Sequence, residues 1–234
     1  SVWDVELGAE WKTKSLLFRV NLYDMEFRDE IAATGELSAI GQPLRQNVDK
    51  SFRRGIELEA SWQALEALRI AGSASASRNR ISTWTQFYDV YDTNGDVAGS
   101  TSRTFHDVQP VATPPFQATL GAETTALRGL TIGATGRYVA ASWLDNTNAE
   151  GLEAPRTFQL DAALVVDLAR WIPAGRPRLK VQVNNVLDSR KLWPRGYSYL
   201  YANRDGSGAE TLAGIPYFYP LATRSAYVSL DMGF

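Results

Sequence analysis

Apolar and polar residues alternate along this chain with a period of two. Trp3, Val5, Leu7, Ala9 and Trp11 alternate with Asp4, Glu6, Gly8 and Glu10. The pattern returns at Phe18, Val20 and Leu22, and at Ile56, Leu58, Ala60 and Trp62. It recurs at Leu68, Ile70, Gly72, Ala74 and Ala76, then at Phe116, Ala118, Leu120 and Ala122. Leu130, Ile132, Ala134 and Tyr138 continue it, followed by Phe158, Leu160, Ala162, Leu164, Val166 and Leu168. Leu179, Val181 and Val183 come next, and Ala226, Val228, Leu230, Met232 and Phe234 close the chain. Strict alternation puts one apolar and one polar face on an extended strand. No helical period of similar strength is present; Leu65-Glu66-Ala67-Leu68 is too short to nucleate a helix. The pattern predicts an all-β fold of about nine strands, each roughly ten residues long.

The connections between these strands alternate in length. Trp11 to Leu16, Gln63 to Ala67, Thr125 to Gly129 and Ala169 to Pro177 are short. Ile31 to Asp49, Ile81 to Pro115, Leu144 to Pro155 and Asp188 to Thr223 are long. Short turns at one end and long loops at the other are the form of an antiparallel transmembrane β-barrel. Sandwiches and propellers give no reason for such segregation. The aromatics support a membrane. Trp3 and Trp11 share a face eight residues apart, which is about 20 Å along the normal for a strand tilted by roughly 40°. Trp11, Phe18, Trp62, Trp171 and Phe234 fall at the turn end; Trp3, Phe116, Trp143 and Phe158 fall at the loop end. Two aromatic girdles bracketing an apolar band are expected of a bilayer-spanning wall. Glu6, Glu10, Arg19, Asn21, Glu57, Glu59, Arg137, Gln159, Asp161 and Asn184 would then face a polar lumen. After Leu22 the apolar phase moves to Tyr23, Met25 and Phe27. Either a bulge sits there or the strand leaves the bilayer and its outer face becomes polar.

Composition narrows the function. The 234 residues carry 24 Lys and Arg against 26 Asp and Glu, a net charge of -2, which argues against phosphate-driven nucleic-acid binding. Cysteine is absent and His106 is the lone histidine. This excludes disulfides and thiolate metal sites, and one histidine leaves little for a histidine metal site or a catalytic triad. The chain begins without a basic region and apolar core, so no signal peptide is expected. No cofactor or resident metal is expected.

Several short strings together resemble a known family. They are Val2-Trp3-Asp4 with Glu6-Leu7-Gly8-Ala9-Glu10, then Leu22 to Phe27 with Glu30-Ile31, then Arg54-Gly55-Ile56-Glu57-Leu58. Val183-Asn184-Asn185-Val186-Leu187-Asp188 follows, and Pro220 with Arg224 to Leu230 leads to the terminal Phe234. In order and spacing the set resembles the C-terminal half of the barrel of TonB-dependent outer-membrane receptors. The resemblance implies nine C-terminal strands of a 22-stranded barrel, with residues 1–234 as a partial barrel domain lacking the plug and the earlier strands. It implies a place in the Gram-negative outer membrane. It also implies active uptake of a scarce nutrient, foremost a ferric siderophore or other iron complex, with a vitamin or glycan as other ligands. Implied partners are outer-membrane lipid, TonB through the absent N-terminal part, and the barrel-assembly machinery. Ala226, Val228, Leu230, Met232 and Phe234 resemble the strand that this machinery recognises. A passive porin and a soluble β-rich glycan-binding module are the alternatives; no enzyme activity is expected.

Four features compete between chemical and structural roles. Asn184 to Asp188 reads as side chains capping backbone where a strand leaves the sheet. Gly55 reads as a lumen glycine permitting close packing. Asp89, Asp92, Asn94, Gly95 and Asp96 hint at calcium but match a hairpin turn better. Glu57 and Glu59 share a face, as paired catalytic carboxylates do, yet such pairs are ordinary in a polar lumen. The loops are rich in aromatics and arginine: Trp84, Tyr88, Tyr91, Arg103 and His106 in one, Trp193, Arg195, Tyr197, Tyr199, Tyr201 and Arg204 in a second, and Tyr217 in a third stretch. They are candidates to bind an anionic, aromatic or sugar-like small molecule. Self-packing of long loops explains the same composition.

Overall fold

The computed structural model describes residues 1–172, 174–190 and 192–232, with the backbone alone for residues 35–37, 126 and 192–194. Phe234 and the side chain of Trp193 therefore lie outside the described residues. Among the described residues the chain forms fourteen strands. Nine of them make an antiparallel wall: β1 (Val2–Lys12), β2 (Leu16–Leu37), β3 (Pro43–Leu65), β4 (Leu68–Tyr91), β6 (Phe116–Leu127), β7 (Leu130–Val139), β10 (Thr157–Asp167), β11 (Arg178–Asn184) and β14 (Ser225–Asp231). These are the nine strands expected from the period of two. The other five belong to the loop end: β5 (Val97–Val108), the short β8 (Ser142–Trp143) and β9 (Glu153–Ala154), and the pair β12 (Leu192–Arg204) and β13 (Glu210–Pro220).

Register carries the alternation across the wall. Leu7 lies opposite Leu22 and Leu22 opposite Ile56, while Glu10, Arg19 and Glu59 stand in one row. One surface is apolar and solvent-facing in the isolated chain: Leu7, Leu58, Leu120, Ile132 and Val228 are all exposed. The other is a ladder of polar groups. Arg19 donates to Glu10 at 2.6 Å and to Glu59 at 3.2 Å, and Asn21 reaches Glu6 at 3.2 Å and Glu57 at 3.5 Å. Arg137 pairs with Asp161, which also accepts from Gln159 at 3.2 Å. Expected lumen residues therefore satisfy one another along a hollow of about 850 Å³. Exposed pairs of this kind add little stability individually. Gly55 belongs to this face. A Cβ there would sit 2.6 Å from both the Tyr23 hydroxyl and the Ala76 carbonyl, so glycine lets Tyr23 lie flat across the strand.

The phase change after Leu22 is not a bulge. β2 and β3 stay in register from Leu16 opposite Trp62 to Arg28 opposite Lys50, and the first irregular position is Asp29, with φ 55°. Instead the outer face turns polar: Arg54 binds Asp24 at 2.9 Å and also pairs with Glu26. Trp3 stands opposite Glu26 and Trp11 opposite Phe18, so the tryptophans mark the two borders of the apolar band. Trp143 departs from the girdle expected of it: it lies in β8 and is half-buried. Where the sequence suggests strands of roughly ten residues, β2, β3 and β4 run to 22, 23 and 24 residues. Their upper parts occupy much of the expected long loops. Beyond the apolar band of a barrel an outer face need not be apolar, so alternation has no reason to persist there. The extended strands bury their own core of Ala32, Val48, Ile81, Trp84 and Val108, with Phe105 against it.

Candidate functional site

Two hairpins and one buried loop build the mouth. β4 and β5 form the first hairpin, turning at residues 92–96; β12 and β13 form the second, turning at 205–209. Both turns use one device. Asp92 accepts from the amides of Asn94 at 2.8 Å and Asp96 at 2.9 Å; Asp205 accepts from those of Ser207 at 2.8 Å and Ala209 at 3.0 Å. Backbone amides around Asp92, and the Ser207 hydroxyl and amide around Asp205, hold both carboxyls below their ordinary range. Gly95 and Gly208 take the left-handed positions, with φ 84° and 87°. The Asp92 string is thus a turn whose carboxylate oxygen is already engaged by amides.

The second hairpin crosses to β4. Residues 201–203 pair in parallel with residues 89–91, although β12 follows β11 on the far part of the wall. Beneath the hairpin lies the loop carrying β8 and β9. Leu144 and Leu152 are fully buried, and Leu152 fills the space where a Gly214 side chain would stand, 2.7 Å from its Cβ. At Gly196 a Cβ would fall 2.0 Å from the Tyr217 carbonyl, so this bulge position requires glycine. Asn146 fastens the same loop to the wall. It donates to the Ala33 carbonyl at 2.6 Å and accepts from the Val111 amide at 2.7 Å. Asn148 and Gln109 exchange two further bonds at 2.6 and 2.8 Å. Asp145 is buried, with Oδ1 bound by Thr147 and Oδ2 unpartnered; burial pushes its carboxyl up.

Asn185 closes the base of the hairpin. It is fully buried, donates to the carbonyls of Ser189 at 3.0 Å and Ala222 at 2.9 Å, and accepts from the Ser189 amide at 2.9 Å. Asp188 accepts from the Arg224 amide at 3.0 Å, which with Arg190 nearby holds its carboxyl low. Asn184 to Asp188 is thus a structural clamp, as its composition suggests.

With one face of β12 and β13 packed on the loop, the other carries tyrosines. Tyr197, Tyr199 and Tyr201 share that face at i, i+2 and i+4, opposite Tyr217, Ile215 and Ala213. Tyr197 and Tyr217 stack with centroids 4.7 Å apart, Tyr219 leans on Tyr197 at 6.3 Å, and Tyr201 meets Tyr91 edge-on at 5.7 Å. The Tyr91 and Tyr199 hydroxyls bond at 2.8 Å, and Tyr199 reaches Asp89 at 3.4 Å. The bond to Tyr91, with the Asp89 charge close by, raises the Tyr199 phenol above its ordinary value. Tyr88, Tyr197, Tyr199 and Tyr217 join Phe87 and Asp89 around a cavity of about 650 Å³, closed on one side by the β2–β3 tip at Ser38 to Gly41.

The structure thus brings together Tyr88, Tyr91, Tyr197, Tyr199, Tyr201 and Tyr217. It separates the remaining candidates. Trp84 is fully buried and gives its N–H to Gln86 at 2.9 Å. Arg103 lies over Phe105 at 5.6 Å, and His106 faces Thr83 at 3.5 Å. Arg204 is bound to Glu210 at 2.7 Å near the hairpin tip. Arg195 is exposed at the bulge. Asp89, read from the sequence as part of a turn or calcium string, also belongs to the site, as do Phe87 and Tyr219; alternation along β4 groups Phe87 and Asp89 with Tyr91. Ala226, Val228 and Leu230 lie on one face of β14, opposite Val183, Val181 and Leu179 of β11.

Known proteins share this architecture. A ferrioxamine receptor of Yersinia enterocolitica is 30% identical over 155 residues, 64% of this chain and 19% of that receptor. The ferric-catecholate import receptor Fiu of E. coli K12 superposes with a TM-score of 0.65 at 17% identity, covering 99% of this chain and 27% of Fiu. The ferric citrate transporter FecA superposes at 0.62 and the copper transporter OprC at 0.66, each at 15% identity. This chain therefore spans under a third of the length of these relatives. Residues 1–186 match the family described as TonB dependent receptor-like, beta-barrel. The alternating wall, its apolar exterior and that match agree: the chain belongs to the β-barrel domain of the TonB-dependent receptors, proteins of the Gram-negative outer membrane.

Proposed function

We propose that this chain forms the mouth and wall of a receptor that takes up an iron complex, foremost a ferric siderophore, with transport driven through TonB. The observation that carries the reading is the tyrosine cavity. Stacked rings beside one carboxylate offer broad apolar faces and a few hydroxyls, which suits a bulky organic chelate. The ferrioxamine receptor among its relatives supports an iron chelate as cargo. A passive pore is the weaker reading, since the relatives include a ferrioxamine receptor and a ferric-catecholate import receptor.

The test uses the full-length receptor in cells that make no siderophore. Uptake of radioactive iron as ferrioxamine is measured for wild type and for Tyr197→Ala with Tyr217→Ala. Loss of two stacked anchors should lower uptake about tenfold or more at equal surface amount. Uptake that equals wild type in the double variant would remove the cavity from the transport path. Uptake that persists without TonB would remove the energy coupling.

A further inference from the structure

We propose that the tyrosine cavity, taken as the cargo site on the reading above, recognises a positively charged group, so that the receptor selects ferric chelates carrying a pendant ammonium over neutral or anionic ones. Charge at the cavity has one sign. Among the described residues that line it, Asp89 is the one charged group, and no lysine, arginine or histidine joins it. Among the described residues no arginine or lysine pairs with Asp89. The Tyr199 hydroxyl donates to its Oδ2 at 3.4 Å, which leaves the charge itself unanswered. The nearby arginines are engaged or turned away. Arg204 is bound to Glu210 at 2.7 Å. Arg103 stands opposite Gln86, on the other face of the β4–β5 hairpin from Phe87 and Asp89. Arg45 follows Leu44 along β3 and takes the opposite face.

The rings add to the same sign. An aromatic face carries the negative part of the ring quadrupole and attracts a cation. Tyr197 stacks on Tyr217 with centroids 4.7 Å apart, and Tyr199 on Tyr201 at 5.8 Å. Tyr199 and Tyr217 are 37% and 41% exposed, so ring surface remains for a ligand. A chelate with a pendant ammonium can set that group against the rings beside Asp89 while its apolar body covers Leu44 and Phe87. A neutral chelate would desolvate Asp89 without giving it a partner. An anionic chelate would bring like charge against the carboxylate and the ring faces, with no cation in the lining to answer it.

The experiment uses purified full-length receptor in detergent, with heat-modifiable gel mobility reporting folding. Calorimetry measures binding of linear ferrioxamine with its free terminal amine and of the same chelate N-acetylated, which lacks that charge. Acetylation should weaken binding about tenfold or more, as expected for an ammonium held by ring faces beside a carboxylate. Asp89→Asn should bring the amine form down to the level of the acetylated form without weakening the latter, and Asp89→Glu should keep the preference. A ferric tris-catecholate should bind worse than either. Equal affinity for the two ferrioxamines in wild type overturns the charge preference, while loss of uptake in Tyr197→Ala with Tyr217→Ala would still support the cavity as the cargo site. A preference that survives Asp89→Asn places the cation site elsewhere and also overturns the proposal. Should neither chelate bind, the iron reading falls, and saturation-transfer NMR with tetramethylammonium against tert-butanol reads the cavity alone. Contact with tetramethylammonium that Asp89→Asn abolishes supports a cation site; no such contact, or contact that the variant leaves unchanged, overturns it.

Discussion

In the wall, Leu7, Leu58 and Leu120 turn outward and are 69%, 37% and 63% exposed in the isolated chain. In the mouth, the upper parts of β3 and β4 bury Val48, Ile81 and Trp84 to 2%, 0% and 0%. The two regions share backbone pairing and differ in what covers their apolar side chains. Protein packs over the second, whereas the first is left bare by the described residues, as a bilayer-facing surface is. Hydrophobicity in the wall is therefore a matter of depth along the strand, whereas in the mouth it is a matter of packing.

That comparison is broken most severely by a charge on the wall. Leu120→Arg should cost about 2–4 kcal/mol near the bilayer midplane and leave little folded barrel by heat-modifiable mobility. Ser73→Arg, on the lumen face beside Glu59, should fold nearly normally. Equal losses would mean the two faces are not lipid and lumen. The next effect concerns assembly. Deleting Phe234 from the full-length protein should reduce the amount of folded barrel in the membrane, while Asp231→Ala should matter much less, if the terminal aromatic serves recognition by the assembly machinery.

A third change should separate the regions. Asn185→Ala removes three buried hydrogen bonds and leaves two carbonyls and an amide unpaired, a cost of about 3 kcal/mol. Protease should then cut the 189–222 segment from outside while the wall stays heat-modifiable. Co-loss of the wall would show that mouth and wall fold as one unit. The smallest effect is at Asp145. Its folded-state carboxyl titrates above its unfolded value, so its contribution is complete at low pH and is lost as pH rises through the folded value. Asp145→Asn keeps an oxygen for Thr147 and should flatten that fall, read as mouth proteolysis against pH. A steeper fall would place the cause elsewhere.

The wall was legible because a bilayer imposes its rule residue by residue: each outward position between Trp3 and Trp11 must be apolar whatever its neighbours are. The hydroxyl-bearing and aromatic loops were legible only as composition. Trp84 and Tyr88 lie four residues apart in one aromatic string, yet one is a core residue and the other lines the cavity. Nothing local distinguishes them; Val48, Val108 and Phe105 decide, and they come from other strands. The Asp92 turn and the Asn185 clamp were readable because an Asn or Asp side chain bonds backbone a few residues away. The pairing of β12 with β4, which joins Tyr199 to Tyr91 and Asp89 across more than a hundred residues, was not. Alternation, turn chemistry and girdles are short-range constraints, and the sequence alone determined the nine strands, their order and the two faces. Which tyrosines meet, which arginines find a carboxylate and which face one another were decided by register and by the crossing hairpin. Those contacts depend on the whole sheet being in place before any of the side chains touch.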